Sequence, residues 1–419
     1  MKKNAANAAL ISQGKHNLDL AEKNMGALMA LRARFKKSQP FKNIRIGMAL
    51  HLTKETGVLI RTLTDGGAKV VATSCNPLST QDDVVAALSS EGMELYGFKG
   101  ESTKDYYHFL RKVVLSKPHI TVDDGCDLVN ELHTRYPEYI ENIVGGCEET
   151  TTGVLRLKAM QKAHALKYPI IAVNDNKTKH LMDNYYGTGQ STIDGILRAS
   201  NILFSGKTVV VAGYGSCGKG VALRAKGLGG NVIVTEIDPF CSLQAVMDGF
   251  RVMPMNQAAA LGDIFVTVTG NCDIITPTHI RKMKSGAMIV NSGHFDIEID
   301  MKGLKAMSSR ITRIRPFLDE YRIKGNGNKY VYVAGEGRLV NLAAAEGHPS
   351  EVMSMSFCGQ ALAVDYILKN KQKLEPKVYQ LPPEIDDQIS RLQLQALHVK
   401  IDTLTARQKK YLAGWQEGT

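Results

Sequence analysis

Apolar residues near the start of the chain recur at the spacing of an amphipathic helix. Between residues 17 and 37 they lie three or four positions apart, from Leu18 through Met25 to Leu31, and Pro40 follows the last of them. This spacing predicts a helix over residues 17–37 that presents one apolar face and ends before the proline.

Short β-rich runs then alternate with helical stretches. Runs rich in β-branched and apolar residues occupy 44–50, 68–73, 94–97 and 120–122, and helical spacing occupies 54–65, 82–91 and 104–115. Alternation of this kind is typical of a parallel α/β sheet. Polar residues follow several of the strands, at 51–53, 74–76 and 123–125. We therefore expect one cleft at the carboxyl edge of this sheet.

A second series of the same kind begins after Gly206 and runs to about Gly347. Its strands are expected at 208–212, 231–235, 264–267, 288–291 and 330–334. The remaining chain is predicted to be helical over 351–369 and again up to Leu412, with no sheet of its own. The predicted fold class is α/β, with two doubly wound parallel-sheet domains and C-terminal helices that pack on the first domain or on a neighbouring subunit.

Charge and cysteine content narrow the function classes only a little. The chain has 52 Lys and Arg against 41 Asp and Glu, a formal net charge of +11, but its basic stretches do not interleave with aromatic residues. We expect solvated faces and no nucleic-acid partner. The seven cysteines form no CxxC pair, which favours free thiols in the cytoplasm and no metal site. No apolar run approaches ~20 residues, so no membrane span is expected.

A glycine-rich loop follows the first strand of the second series. The strand at 208–212 runs directly into Gly213-Tyr-Gly215-Ser-Cys-Gly218, a helix follows, and Glu236 ends the next strand. In this context Gly213 allows the tight turn, Gly215 allows the backbone to approach a pyrophosphate, and Gly218 allows close packing of helix on strand. A carboxylate at position 236 accepts from both ribose hydroxyls, which predicts NAD as the cofactor in preference to NADP.

The motifs around this loop resemble those of the S-adenosylhomocysteine hydrolase family. The resemblance extends over about residues 18–412 and rests on these segments: His51-Leu-Thr-Lys-Glu55-Thr, Ser79-Thr-Gln-Asp82, Asp123-Asp-Gly125, Glu148-Glu-Thr-Thr-Thr-Gly153, Asn174-Asp-Asn-Lys-Thr-Lys179, Asp183-Asn184, Gly293-His-Phe-Asp296, Gly337-Arg-Leu-Val-Asn-Leu342 and Gly347-His-Pro-Ser350.

The resemblance implies a redox cycle that returns the cofactor to its starting oxidation state. Bound NAD⁺ oxidises the ribose 3′-hydroxyl of S-adenosylhomocysteine, homocysteine is eliminated, water adds, and the ketone is reduced again. It further implies a cytoplasmic homotetramer that acts on small molecules. The implied ranges are a substrate-binding domain over 1–185 and 348–402, an NAD-binding Rossmann domain over 190–347, and a short C-terminal helix or tail over 403–419.

Catalytic and substrate-binding roles are implied residue by residue. Lys179 and Asp183 match the pair that holds the 3′-hydroxyl and removes its proton, and the pKa of the lysine must fall if it acts as the base. Glu149 matches the carboxylate on the 2′-hydroxyl side. The cluster that serves the leaving thiolate and the incoming water consists of His51, Asp124 and His294. Thr53, Glu55 and His348 match residues around the base.

Cofactor contacts are implied at a further set of positions. These are Thr150, Thr151 and Thr152 from the substrate domain, Asn184 and Asn341 near the nicotinamide, Asn271, His348, and the loop residues Gly213, Gly215 and Gly218 with Glu236.

Two departures from the family pattern bear on the choice of substrate. Thr188 stands where many members have a cysteine, and the chain ends at Thr419 without the tail whose lysine and tyrosine reach a neighbouring cofactor site. Both features resemble a shorter archaeal or thermophile-type branch, in which some members prefer S-inosylhomocysteine. Glu55 can accept from the amine of adenine and would repel the O6 of hypoxanthine, so we expect adenine. A 2-hydroxy-acid type of dehydrogenase and a non-catalytic NAD-binding paralogue also stay open as interpretations of the sequence.

Overall fold

The chain folds into two α/β units, each built on its own sheet. The computed structural model describes residues 2–325 and 327–418, so Met1, Asn326 and Thr419, which fall within the expected domain ranges, lie outside the described residues. The strands are β1 (Arg45–Ala49), β2 (Lys69–Thr73), β3 (Glu94–Tyr96), β4 (Ile120–Asp123), β5 (Gly145–Glu148), β6 (Ile170–Ala172), β7 (Thr208–Ala212), β8 (Asn231–Thr235), β9 (Arg251–Val252), β10 (Ile264–Thr267), β11 (Ala287–Asn291), β12 (Ser308–Arg315), β13 (Leu318–Ile323), β14 (Tyr330–Ala334) and β15 (Val378–Tyr379).

Helices cover the faces of both sheets. They are α1 (Lys2–Asn24), α2 (Gly26–Ser38), α3 (Lys54–Asp65), α4 (Asp82–Ser90), α5 (Thr103–Leu115), α6 (Asp127–Thr134), α7 (Thr151–Lys162), α8 (Thr188–Ser200), α9 (Ser216–Gly227), α10 (Pro239–Met247), α11 (Met255–Ala258), α12 (Pro277–Lys282), α13 (Met301–Met307), α14 (Val340–Ala343), α15 (Ser350–Asn370), α16 (Pro383–Ala396) and α17 (Ala406–Ala413). Short 3₁₀ turns occupy Pro137–Asn142, Val173–Asp175 and Gly335–Gly337, and a π-helical stretch occupies Thr178–Gly187.

The first sheet is parallel throughout, as predicted. Its strand order is β15-β6-β5-β4-β1-β2-β3. The chain winds outward from β1 in one direction through β2 and β3, and in the other direction from β4 through β6. The order therefore reverses between β1 and β4, and ligands of open α/β sheets bind in the crevice at such a point.

The second sheet is mixed and not purely parallel. Its order is β12-β13-β14-β11-β10-β7-β8-β9, and the six strands from β14 to β9 pair in parallel. The hairpin β12–β13 extends this sheet in antiparallel pairing. This hairpin was not predicted, because β12 is exposed over most of its length and so has no buried face to give a pattern. The reversal point of this sheet lies between β7 and β10.

The terminal helices complete the first unit. The predicted helix over 17–37 is two helices, since the chain breaks at Met25 between α1 and α2. Helices α15 and α16 bury Phe357, Ile367 and Ile389 in the first core, and β15 joins the first sheet, which confirms that this segment packs back onto the first unit. Within the described residues, no helix is both long enough and apolar enough to cross a bilayer.

Candidate active site

One cavity of about 960 Å³ lies between the carboxyl edges of the two sheets. All of the expected site residues except Gly218 line it: His51, Thr53, Glu55, Asp124, Glu149, Thr150, Thr151, Thr152, Lys179, Asp183, Asn184, Gly213, Gly215, Glu236, Asn271, His294, Asn341 and His348. The first sheet and its loops supply most of the titratable side chains, and the second supplies the glycine loop and His294.

Two adjacent strand ends and one loop of the second unit form a His–Asp–His group. His51 follows β1 and Asp124 follows β4, the neighbours between which the strand order reverses. His51 Nε2 lies 3.4 Å from Asp124 Oδ2, and His294 Nδ1 lies 3.6 Å from Asp124 Oδ1. The carboxylate therefore bridges both imidazoles across the cleft between the two units.

The surroundings of His51 favour the neutral form of its imidazole. Its Nδ1 lies 2.8 Å from Ser79 Oγ, which leaves Nε2 directed at Asp124. Burial lowers the pKa of His51 to about 4, although the Asp124 charge opposes this shift. At neutral pH a neutral imidazole beside a carboxylate can accept a proton or orient a water molecule.

The π-helical stretch places three polar side chains on one face. Lys179 Nζ lies 3.0 Å from Asp183 Oδ2 and donates to Asn184 Oδ1 at 2.7 Å. A π-helix has more residues in each turn than an α-helix, so positions four and five residues apart both come close to the lysine. Asn174 Oδ1 accepts from Asn184 Nδ2 at 3.1 Å and fixes the orientation of the amide.

Carboxylates determine the charge of Lys179. Burial lowers its pKa, but Asp183, Glu149 and Asp124 together raise the pKa by more than burial lowers it, so that it lies above the ordinary value of a lysine. The expected fall of this pKa is therefore not found in the cleft as it stands. Lys179 is an ammonium here, and its first role is to stabilise negative charge on a nearby oxygen.

Asp183 has acceptor capacity left for a ligand. Burial raises its pKa, but Lys179 and His348 outweigh burial and hold the pKa well below its usual range. His348 Nδ1 lies 2.5 Å from Oδ1, yet no group of the described residues makes a well-aligned hydrogen bond to either carboxylate oxygen. Each carboxylate oxygen has two lone pairs, so it can also accept from a ribose hydroxyl.

Glu149 stands on the other side of the lysine. It follows β5, and Lys179 Nζ lies 3.5 Å from its Oε1. Ser356 donates to Oε1 at 2.5 Å and Gln360 donates to Oε2, both from helix α15. Burial raises the pKa of Glu149 to about 6, while Lys179 and Ser356 oppose the shift. This carboxylate therefore titrates close to neutral pH.

The dinucleotide loop has the geometry that an NAD pyrophosphate requires. Gly213 has φ +104°, where a side chain is strained, and a Cβ on Gly215 would meet no atom within 4 Å, because that position opens toward the cavity. Gly218 does not line the cavity; a Cβ there would lie 2.0 Å from the carbonyl oxygen of Gly213. Its role is the close packing of α9 on the loop, as predicted.

Other groups of the second unit also fit a nicotinamide dinucleotide. The carboxylate of Glu236 is fixed by the backbone N–H groups of Tyr214 at 2.7 Å and Ile237 at 2.6 Å. Asn341 donates to Ser191 Oγ at 3.1 Å, whereas its buried Oδ1 has no donor among the described residues. That oxygen suits a carboxamide N–H. Thr152 Oγ1 lies 3.6 Å from where a Cβ of Gly270 would be, so the first unit reaches the cofactor side.

Three positioning residues were not predicted, and each is the polar last residue of a buried strand. Asp123 accepts from the N–H of Asp124 at 3.0 Å. Glu148 accepts from the N–H groups of Gly125 at 2.8 Å and Thr150 at 3.0 Å, so it joins the loop that carries Asp124 to the loop that follows β5. Asn291 bonds the backbone around His294 through Gly293 and Phe295. A polar residue that ends an apolar strand is the signal that could have identified them.

Comparisons with known proteins agree with the site. Residues 3–136 match the sequence model described as "S-adenosyl-L-homocysteine hydrolase", and residues 184–347 match its "NAD binding domain". The chain is 57% identical to the S-inosyl-L-homocysteine hydrolase of Methanocaldococcus jannaschii over 98% of both chains. It is 54% identical to the adenosylhomocysteinase of Sulfolobus acidocaldarius over 98% of both, and 52% identical to that of Archaeoglobus fulgidus over 97% of this chain and 100% of the relative.

Proposed function

The chain belongs to the S-adenosyl-L-homocysteine hydrolase family and carries its NAD-binding domain, and from this premise we propose that it hydrolyses S-adenosyl-L-homocysteine reversibly to adenosine and L-homocysteine. The observation that carries the proposal is the position of the buried Lys179–Asp183 pair in the same cavity as the Gly213–Gly215 loop. Bound NAD⁺ would supply a reversible hydride acceptor at that point.

Lys179, Asp183 and Glu149 bind the ribose diol. The carboxylate of Asp183 pairs with Lys179 at 3.0 Å and with His348, and each of its oxygens has a lone pair left to accept from the 3′-hydroxyl. As the hydroxyl loses its proton to a carboxylate, the developing negative charge on O3′ is stabilised by the adjacent cation. Glu149 accepts from the 2′-hydroxyl. Lys179 thus acts as an electrostatic partner of O3′ and of Asp183.

The His51–Asp124–His294 group serves the C5′ end. The thiolate that leaves requires a proton, and the water that adds must lose one. An imidazole held at a carboxylate can give and take that proton without any change of geometry. Because His294 comes from the second unit and the other two from the first, this group is complete only when the cleft is closed. Closure also excludes bulk water from the reactive intermediate.

The base pocket favours adenine. Glu55 lines the cavity, and Ser350 donates to its Oε1 at 2.6 Å. The remaining oxygen can accept from the exocyclic amine of adenine, and it faces the O6 of hypoxanthine with like polarity. The second candidate is S-inosyl-L-homocysteine as substrate, with the same chemistry. It is favoured by the name of the relative from Methanocaldococcus jannaschii.

We also propose how the chain is divided into domains. Residues 1–185 and 348–402 form the substrate-binding domain, residues 190–347 the NAD-binding domain, and residues 403–419 a C-terminal arm. The arm exposes Leu404, Leu412 and Trp415, which supports association with other subunits, and a homotetramer is proposed. Seven free cysteines support a reducing, cytoplasmic location.

The test is the reverse of hydrolysis, the condensation of homocysteine with a nucleoside. Homocysteine is incubated with adenosine or with inosine, the product is followed by chromatography, and net NADH is followed by absorbance. Product from adenosine with no net NADH is the expected result. Faster condensation of inosine would favour the second candidate. Net NADH without product would contradict both and favour a dehydrogenase, and no change at all would favour a binding protein.

A further inference from the structure

Lys54 is the first residue of α3 and stands behind the base pocket. Its Nζ lies 3.4 Å from Glu55 Oε1 and donates to Glu346 Oε2 at 3.0 Å. Its side chain is only 12% exposed, and it is not among the described residues that line the cavity. Burial lowers the pKa of this lysine, but Glu55 and Glu346 raise it more. Lys54 is therefore a partly buried cation outside the lining of the cavity.

Both donors to Glu55 occupy the same carboxylate oxygen. Ser350 Oγ donates to Oε1 at 2.6 Å, and the ammonium of Lys54 approaches this oxygen as well. No group of the described residues donates to Oε2, and Glu55 lines the cavity. A buried carboxylate is stable as an anion only beside a cation or several donors. An anion presents only acceptors, whereas a protonated carboxyl group presents a donor.

We propose that Lys54 is a specificity-determining residue: together with Ser350 it holds Oε1 of Glu55, so that the other oxygen stays free to accept from the 6-amino group of a purine. The inference rests on the proposed function, since it presumes a purine nucleoside in the cavity. Lys54 acts through Glu55 and is a positioning residue. Without the ammonium, Oε1 of Glu55 keeps only the Ser350 contact, the carboxylate can turn away from the base, and the preference for a 6-amine over a 6-oxo group is lost.

Lys54 also pairs with Glu346, so an effect on base selection must be distinguished from a general loss of contact between the two units. Glu346 lies just before Gly347 and His348, in the segment where the chain returns to the first unit, and its Oε1 also pairs with Arg198 at 3.1 Å. Lys99 makes a different contact between the two units: its Nζ donates to the carbonyl of Ala343 at 2.9 Å. Among the described residues, Lys99 has no hydrogen bond or ion pair to Thr53, Glu55 or His348, so Lys99→Met is the matched control for a lost cation at this junction.

The experiment measures kcat and KM for condensation with homocysteine. Wild type, Lys54→Met, Lys54→Arg and Lys99→Met are compared as NAD-loaded proteins on adenosine, inosine and purine riboside, which carries hydrogen at C6. We expect Lys54→Met to raise the KM for adenosine at least about tenfold with little change in kcat, as the loss of a charged hydrogen bond would do. The KM for purine riboside should not change, inosine should improve relative to adenosine, and Lys54→Arg should restore the wild-type order.

Outcomes that contradict the inference differ from the outcome that contradicts the proposed function. An equal loss on all three nucleosides in Lys54→Met, matching that of Lys99→Met, would overturn the inference and leave the proposed function standing. An unchanged adenosine-to-inosine ratio would do the same. If the wild-type protein condenses none of the three, the proposed function fails and the inference falls with it.

Discussion

Replacing Gly218 with alanine should weaken NAD binding while the chain still folds. A Cβ at this position would lie 2.0 Å from the carbonyl oxygen of Gly213 and 2.7 Å from its carbonyl carbon. Ordinary contact begins near 3.4 Å, so helix α9 and the loop must move apart by about 1.4 Å. Both contacts are with backbone, which cannot rotate away as a flexible side chain would.

The cost follows from that displacement. Overpacking of this size destabilises a protein by about 1–3 kcal/mol. A misplacement of about 1 Å at a group that positions a reactant can cost about 100-fold in rate. Since the loop and the first turn of α9 are the groups that face the pyrophosphate, most of the loss should appear in cofactor affinity and only part in the stability of the fold.

Gly227→Ala is the matched control. Gly227 is the last residue of the same helix, and a Cβ there would meet no atom within 4 Å. Alanine in a helix is more favourable than glycine by about 0.5–1 kcal/mol. This variant should keep its NAD and melt at the same temperature as wild type or slightly higher. The same chemical change thus has opposite expected signs at the two positions.

The assay quantifies NAD released from denatured protein by chromatography, together with the melting temperature at saturating NAD. Gly218→Ala is expected to purify with little cofactor and to recover activity only when NAD is added in excess. A variant with a full complement of NAD and the melting temperature of wild type would show that the helix does not need this close approach.

Three further predictions concern charged groups of the site. Ser356→Ala removes a donor to ionised Glu149, whose pKa is about 6. That pKa should rise by about 1 unit, so the acidic limb of the kcat profile should move to higher pH, whereas Ser354→Ala should leave it in place. Glu236→Ala should weaken NAD retention, and unchanged retention would mean that the carboxylate does not hold the ribose. Lys179→Met should abolish condensation and leave NAD bound; near-normal turnover would remove the lysine from the mechanism.

Local patterns were sufficient for most of the framework. The strands from β1 to β4 and the parallel strands around the glycine loop were predicted within a residue or two, because strand and helix spacing are local properties of the chain. Strands β5, β6, β9 and β15 and the hairpin β12–β13 were not predicted. The hairpin has an exposed, charged face, and β9 and β15 have two residues each, so none of them offers the buried period that a sequence pattern can detect. Strand β5 begins with two glycines, which have a low β propensity, and β6 has only three residues.

The sequence predicted which residues line the candidate site, but not which of them are charged. Pairings such as Asp124 with His294 and Glu149 with Ser356 join residues far apart in sequence. The lysine illustrates the consequence: the expected base carries a raised pKa, because three carboxylates surround it in the buried cleft. Whether a buried group is charged depends on its neighbours and its desolvation, and both are set by packing.

The sequence by itself determined the order of the strands along the chain, the glycines of the dinucleotide loop and the polar residues at the strand ends. These depend on backbone conformation and on the spacing of residues along a short segment. Only the tertiary structure decided that Lys54 stands behind Glu55, that Lys179 and His348 both pair with Asp183, and that Glu148 ties two loops together. The physical reason is that burial and Coulombic interaction act through space, between groups that the chain brings together only when it folds.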